Sequence, residues 1–306
     1  MSFYWYFAAA IFVFGLMFGS FLNVCIYRLP RGMSVVSPAR SFCPNCQAQV
    51  AAFDNIPIIS WLLLGAKCRS CKQPISGRYA LIELFTALLF LACYLSFGGI
   101  TAETVKACVF CFLILGLIFT DLETRLLPDV MTLPGIMFGV SFAAFIPVQG
   151  FLGVRYGFAS AFSDFWHSPR LLSVGDSLIA AAVGAGVLFG VAELYFRLRG
   201  FEGMGYGDVK LIAMIGAFLG IRLLLFVLFT ASVTGAIYGL SVLVSIFLRR
   251  NRRYSKRPDG RKKAWESATK AMRLVEMPFG VFLGGMALVA VFYGNSLTHW
   301  YVGLYH

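Results

Sequence analysis

Two carboxylates and four thiols carry most of the reactive chemistry in this sequence. Asp208 closes the glycine-rich run Gly203-Met204-Gly205-Tyr206-Gly207-Asp208 and heads the apolar stretch Val209 to Leu219. Asp121 closes an earlier apolar stretch, directly after Thr120. An ionisable acid at the end of a membrane helix is costly to keep there and by default marks a functional site. Two such acids at one depth can share a proton. One then serves as general base on a water and the other as general acid toward a carbonyl, the division of labour of an aspartyl protease. At Gly203, Gly205 and Gly207 the missing Cβ permits positive φ and close approach of an extended peptide beside Asp208. The free N–H groups of a helix start also suit a carboxylate at Asp208. Spacing alone leaves a second reading open, in which Asp208 caps a helix and Asp121 is an interfacial acid facing water.

The thiols fall into two sets. Cys43-Pro44-Asn45-Cys46 and Cys68-Arg69-Ser70-Cys71 are C-x2-C knuckles separated by 21 residues, close to the spacing of a four-thiolate zinc ribbon. With all four positions filled by protein, such a Zn2+ is structural, because catalytic zinc keeps one position open for water. It would stabilise a loop too poor in apolar residues to build its own core. A reduced or redox-active pair of dithiols is the alternative. Cys25, Cys93, Cys108 and Cys111 lie inside apolar runs and read as small packing residues.

The elements that must hold these groups are membrane helices. Of the 306 residues 59% are hydrophobic and 13% charged, and the mean hydropathy is +0.79, which excludes an ordinary soluble domain. Crossing roughly 30 Å of hydrocarbon takes about 20 apolar residues, and in a waterless core they must be helical. Eight candidate spans follow: Phe3 to Ile26, Tyr79 to Phe97, Thr104 to Thr120, Val130 to Val148, Val174 to Phe196, Asp208 to Leu219, Ile221 to Leu248 and Pro278 to Asn295. The sixth is short and its boundary with the seventh is ill defined. The fold class is therefore an all-α polytopic membrane protein with a small zinc-ribbon-like loop domain. Residues 1–27 form a first helix, 28–78 the four-cysteine loop and 79–306 the membrane core.

The net charge of +12 is concentrated in two segments. Arg28 to Arg78 carries seven Lys and Arg against Asp54, and Arg249 to Arg273 carries eleven against Asp259 and Glu266. With eight spans and both termini outside, both segments fall on the cytoplasmic side, as the positive-inside rule requires. The same count puts Asp121 and Asp208 at the cytoplasmic boundary. No basic residue precedes Arg28, so the first span lacks the charged start of a cleaved signal and reads as a retained helix. The basic stretch Arg249 to Lys263 reads as a topology signal and a contact for anionic lipid rather than for nucleic acid.

The remaining acids rank lower. Asp129 follows Pro128 at a helix start and reads as a cap. Glu83, Asp176 and Glu193 lie in or near spans, where they can bond between helices. His167, His299 and His306 are expected outside, so no histidine joins the pair. Two other classes compete with a protease. A transporter using Asp121 and Asp208 would need acids nearer the midplane and repeated halves with broken helices, and a non-catalytic scaffold would tolerate neutralising either acid.

Several of these stretches together resemble the type IV prepilin peptidases. They are Gly19-Ser20-Phe21-Leu22-Asn23-Val24-Cys25-Ile26-Tyr27-Arg28-Leu29-Pro30, the paired knuckles, Pro74-Ile75-Ser76-Gly77-Arg78-Tyr79 through Glu83, the Asp121 to Asp129 block, and Gly203 to Lys210, in that order. The resemblance implies a bacterial inner-membrane endopeptidase that removes the basic leader of type IV prepilins or type II secretion pseudopilins, with Asp121 and Asp208 catalytic. It also implies N-methylation of the new amino terminus with S-adenosylmethionine as donor. No glycine fingerprint of a soluble nucleotide-binding unit is present, so the residues that hold that cofactor are not identified. Gly150 to Arg170 and the basic linker Arg249 to Arg273 match no motif of the family.

Overall fold

The computed structural model describes residues 2–38, 40–146, 169–200, 205–254, 259–272 and 278–303. Among them nine α-helices follow one another: α1 Ser2–Arg28, α2 Ile59–Leu63, α3 Arg78–Ser96, α4 Ala102–Thr124, α5 Asp129–Ala143, α6 Pro169–Arg199, α7 Tyr206–Tyr254, α8 Gly260–Met272 and α9 Phe279–Gly303. Helices α1, α3, α4, α6 and α7 are long and apolar enough to cross a membrane, and α5 and α9 contribute shorter apolar stretches. The protein is thus an all-helical, multi-pass membrane protein.

Helix α7 runs for 49 residues, which at about 1.5 Å per residue would make a straight rod of some 70 Å, more than twice the hydrocarbon thickness. It is not straight. Gly220 interrupts it with φ 78° and ψ 172°, a backbone region open to glycine and costly to residues with a Cβ. The break falls between the expected spans ending at Leu219 and beginning at Ile221.

Helix contacts in lipid cannot rely on the hydrophobic effect and use small residues to bring backbones together. Three Gly-x3-Gly pairs do so here. A methyl carbon added to Gly15 or Gly19 of α1 would lie 2.6 Å from the Cα of Ala87 or Glu83 on α3. One on Gly139 of α5 would lie 2.8 Å from Ala217 Cβ on α7, and one on Gly135 would strike Met214. On α9, Gly284 sits against Ile118 of α4, and Gly280, one turn earlier, against Asp121. Ile114, Ile118 and Asp121 share one face of α4, so this last pair determines what α9 meets.

The ends of α4 are set locally. Thr101 caps its start by accepting from the Thr104 N–H at 3.1 Å. Arg125, at φ 57°, closes its end by donating its N–H to Asp121 O at 3.1 Å. Pro128 disfavours helix at Leu127 and serves as N-cap of α5. The helix therefore carries Asp121 in its last turn.

The 28–78 segment is pinned to the helix bundle by buried polar bonds. Arg28, 3% exposed, donates to the carbonyls of Ser34, Val35, Pro38 and Arg40. Glu83 of α3 accepts the Ile58 N–H at 2.7 Å. Strand structure is confined to two isolated bridges, Phe42 with Gln49 and Lys67 with Pro74, so the sheet of the expected ribbon is missing among the described residues. Beyond the first bridge the chain turns into a 3-10 helix at Ala52–Asn55 and then into α2. In the basic segment after α7, α8 folds back so that Arg250 donates to Ser267 O at 2.7 Å and Phe247 packs edge-on against Trp265.

Candidate active site

Three helices meet around the two carboxylates. Asp121, 6% exposed, comes from the last turn of α4, and Asp208 from the first turn of α7. A methyl carbon placed on Gly280 of α9 would lie 2.9 Å from Asp121 Oδ2 and 3.3 Å from Asp208 Oδ1. The two oxygens are thus no farther apart than these distances laid end to end, within reach of a shared water or carbonyl. The Val281 N–H donates to Asp121 Oδ2 at 3.2 Å. The first turn of a helix has N–H groups that no full helical bond claims, and α9 shares this one between Pro278 O, also at 3.2 Å, and the carboxylate.

The surrounding contacts hold the helix ends together. Lys210, two residues beyond Asp208, pairs with Asp129 at 2.6 Å and so links the starts of α7 and α5. Asp129 is therefore an ion-pair partner, and Pro128 takes the cap position expected of it. Gly203 lies outside the described residues. Gly205 and Gly207 do not have positive φ here. What Gly207 admits is Leu127 of the α4–α5 link, whose Cβ would be 2.9 Å from an added methyl, while a methyl at Gly205 would meet only the Gly207 N, at 3.9 Å. Glu193 pairs with Arg197 on an exposed turn, and Asp176 is buried in α6. Neither belongs to the cluster around Gly280.

Gly280 is the residue that sequence reasoning misses. A glycine in an apolar span carries no chemistry of its own, and its meaning emerges only once α4 and α7 are placed against it. The Pro278-Phe279-Gly280 start of α9, one turn before Gly284, is the available signal.

The four loop thiols also converge. The Sγ atoms of Cys43, Cys46, Cys68 and Cys71 all lie within 4.8 Å of one another, with Cys43 and Cys71 3.9 Å apart. A tetrahedral ion with Zn–S bonds of about 2.3 Å needs sulfurs roughly 3.8 Å apart, so the set fits. The knuckles are built alike. In each the first Cys N–H bonds five residues ahead, to Ala48 or Gln73, and the residue after the second Cys, Gln47 or Lys72, has φ 59° and bonds back to the first Cys carbonyl. Backbone N–H groups of Cys71 and Ser70 lower the Cys68 thiol to about 7, toward the thiolate a metal requires, while at Cys71 the pull of the Gln73 N–H is outweighed by burial and the neighbouring thiols, which push the thiol up to about 11. Beside the set, Arg69 grips Asp54 through two 2.7 Å bonds and holds its carboxyl below the usual range.

A multi-pass membrane protein that brings carboxylates from two helix ends onto the start of a third, with a four-thiol loop at its first helices, is a narrow class. Residues 13–97 match the Bacterial Peptidase A24 N-terminal domain, and residues 108–240 match the type IV leader peptidase family. A protein of Aeromonas hydrophila is 35% identical over 97% of this chain and 94% of its own length. One of Pseudomonas aeruginosa is 31% identical over 94% and 91%, and one of Myxococcus xanthus 41% identical over 78% and 64%. Each is named prepilin leader peptidase/N-methyltransferase. The chain belongs to the type IV leader peptidase family. No solved structure matches it.

Proposed function

We propose that this protein cleaves the leader from type IV prepilins or type II secretion pseudopilins and then methylates the exposed amino terminus. The observation that carries the peptidase reading is the meeting of Asp121 and Asp208 at Gly280. One carboxylate takes a proton from a water as its oxygen attacks the scissile carbonyl carbon. The other gives its proton to the carbonyl oxygen, and the tetrahedral intermediate collapses with the C–N bond breaking and the amine taking up a proton. The carboxylates sit at helix ends, where the junction between a pilin's basic leader and its apolar helix would lie. A transporter using the same acids would be expected to hold them nearer the midplane.

The reading extends to the whole chain as follows. Counting α1, α3, α4, α5, α6, the two limbs of α7 around Gly220, and α9 gives eight spans, with both termini outside and the dyad at the cytoplasmic face of a bacterial inner membrane. Residues 1–27, 28–78 and 79–306 then serve as first helix, zinc-binding loop and peptidase core. Cys43, Cys46, Cys68 and Cys71 hold one structural zinc, and the basic segments contact anionic lipid. S-adenosylmethionine, when bound, supplies an electrophilic methyl: an N–C bond forms as the C–S bond breaks, sulfur keeps the electron pair, and the nitrogen loses a proton.

The test is cleavage of a purified prepilin in detergent. Asp121→Asn and Asp208→Asn should each abolish it while the proteins melt like wild type. Full cleavage by both variants would end the peptidase reading.

A further inference from the structure

A cavity of about 510 Å³ lies between the four-cysteine loop and the ends of α1, α3 and α4 that face it, lined by neither Asp121 nor Asp208. We infer that it holds S-adenosylmethionine; this rests on the reading of the chain as a leader peptidase that also methylates. Sites for ligands of this size are concavities of about 300 to 1,000 Å³ with apolar walls and a few convergent polar groups. The cavity has both. Trp61, Tyr27 and Tyr79 give it aromatic surface, and Glu83 and Glu123 give it carboxylates.

Two of its polar residues have unmet hydrogen-bonding capacity. Asn23, 4% exposed, donates its Nδ2 to Tyr79 O at 3.0 Å, yet its Oδ1 is buried without a partner. Arg78 pairs with Glu123 through Nη1, and its buried Nε also lacks a partner. A buried polar atom left unpaired costs about 1 to 3 kcal/mol, so an orphan acceptor and an orphan donor on one cavity wall are worth an explanation. S-adenosylmethionine offers the matching set: ammonium, hydroxyl and exocyclic amine donors for Asn23 Oδ1, a carboxylate for Arg78, two positive centres for the glutamates, and a purine for the rings. By contrast, the cavity of about 860 Å³ between α6, α7 and α9 is walled by Leu188, Leu228, Phe229, Phe279 and similar apolar residues. It suits hydrocarbon, not a zwitterion.

Position favours the same assignment. Glu123 stands two residues beyond Asp121 on α4, and residues two apart on a helix point to nearly opposite sides. The cavity and the dyad therefore flank one helix end, and a pilin amine freed at the dyad is about one helix diameter, roughly 10 Å, from the methyl donor. That spacing would let one enzyme carry out both steps on a chain that stays docked. Arg28 is spent on holding the loop backbone, Arg69 on Asp54 and Arg31 on Tyr27 O, so Arg78, which pairs with Glu123 through Nη1 and keeps an unpartnered Nε, is the cavity's best-placed guanidinium for an anionic group.

The experiment measures binding of labelled S-adenosylmethionine to the full-length protein in detergent by equilibrium dialysis. Asn23→Ala should weaken binding at least tenfold, and Val24→Phe, which fills the cavity from α1, should abolish it, with zinc content unchanged and each variant still melting cooperatively as a folded protein. Equal binding by folded Asn23→Ala and Val24→Phe would place the cofactor elsewhere and overturn the inference. Should either variant misfold, photolabelling of the wild type with an 8-azido analogue decides. Label in the peptides spanning 20–31 or 41–83, or at Glu123, supports the cavity, and label confined to other segments refutes it. If the wild type binds no cofactor, the inference fails with the methylation reading, whereas loss of the aspartate-dependent cleavage would strike the peptidase reading separately.

Discussion

Replacing Gly280 with alanine separates the geometry of the active site from the stability of the fold. The added Cβ would sit 2.9 Å from Asp121 Oδ2 and 3.2 Å from its Cγ, inside the contact distance of carbon with either atom. The carboxylate must move by several tenths of an ångström, away from the Val281 N–H that holds it and relative to Asp208. A displacement of about 1 Å at reacting groups can lower the rate on the order of 100-fold. Gly280 does not have positive φ, so alanine introduces no backbone strain, and its helix propensity exceeds glycine's by up to about 1 kcal/mol. The expected variant is folded, melts at or near the wild-type temperature, and has kcat reduced by about 10- to 100-fold with little change in KM. Gly285→Ala is the control, because nothing lies within 4 Å of a methyl there, and it should cleave like wild type. Cleavage of purified prepilin by Gly280→Ala within threefold of wild type would refute the claim that this glycine spaces the carboxylates.

Five further outcomes are expected. Gly139→Ala places its methyl 2.9 Å from the Ala217 backbone carbon and should destabilise the α5–α7 contact by about 1 to 3 kcal/mol. Gly186→Ala, with open space around it, should melt within error of wild type in a detergent thermal scan. Glu83→Ala leaves the Ile58 N–H without its acceptor, an unpaired donor worth about 1 to 3 kcal/mol; limited proteolysis should then cut between residues 40 and 75 faster, and an unchanged rate would count against that anchor. Freshly purified reduced protein should contain about one zinc per chain, less in Cys43→Ser, and chelation should expose the same loop to protease. Lys210→Met should leave thermal stability nearly unchanged, within about 1 kcal/mol, because its pair with Asp129 is largely open to water.

What could be read from the sequence follows the rarity of each residue type. With only fourteen acids in 306 residues, Asp121 and Asp208 stand out against apolar spans, and the paired C-x2-C spacing brings four thiols together before any coordinates exist. Helix ends are legible where local chemistry sets them, as at Pro128. Glycines are harder. The run before Asp208 invites a role in receiving substrate, yet Gly207 makes room for Leu127, a partner that no local pattern names. Gly15 and Gly19, Gly135 and Gly139, and Gly280 and Gly284 have visible spacing, but which helix each pair faces depends on the packing of the whole bundle. The knuckles illustrate the reverse limit: the ligand spacing of a ribbon is present, while the strands around it are too short to form more than single bridges.

The central claim is that Asp121 and Asp208 act as one unit. It is tested most directly by prepilin cleavage rates of Asp121→Asn, Asp208→Asn and the double variant, each shown to be folded by its melting curve. Groups that share one catalytic step are strongly non-additive. Each single variant should lose at least about 1,000-fold in kcat, within the span of general acid–base effects combined with the loss of the partner's role, and the double variant should be no slower than the slower single. Losses that multiply in the double variant, or substantial cleavage by either single, would contradict a shared dyad.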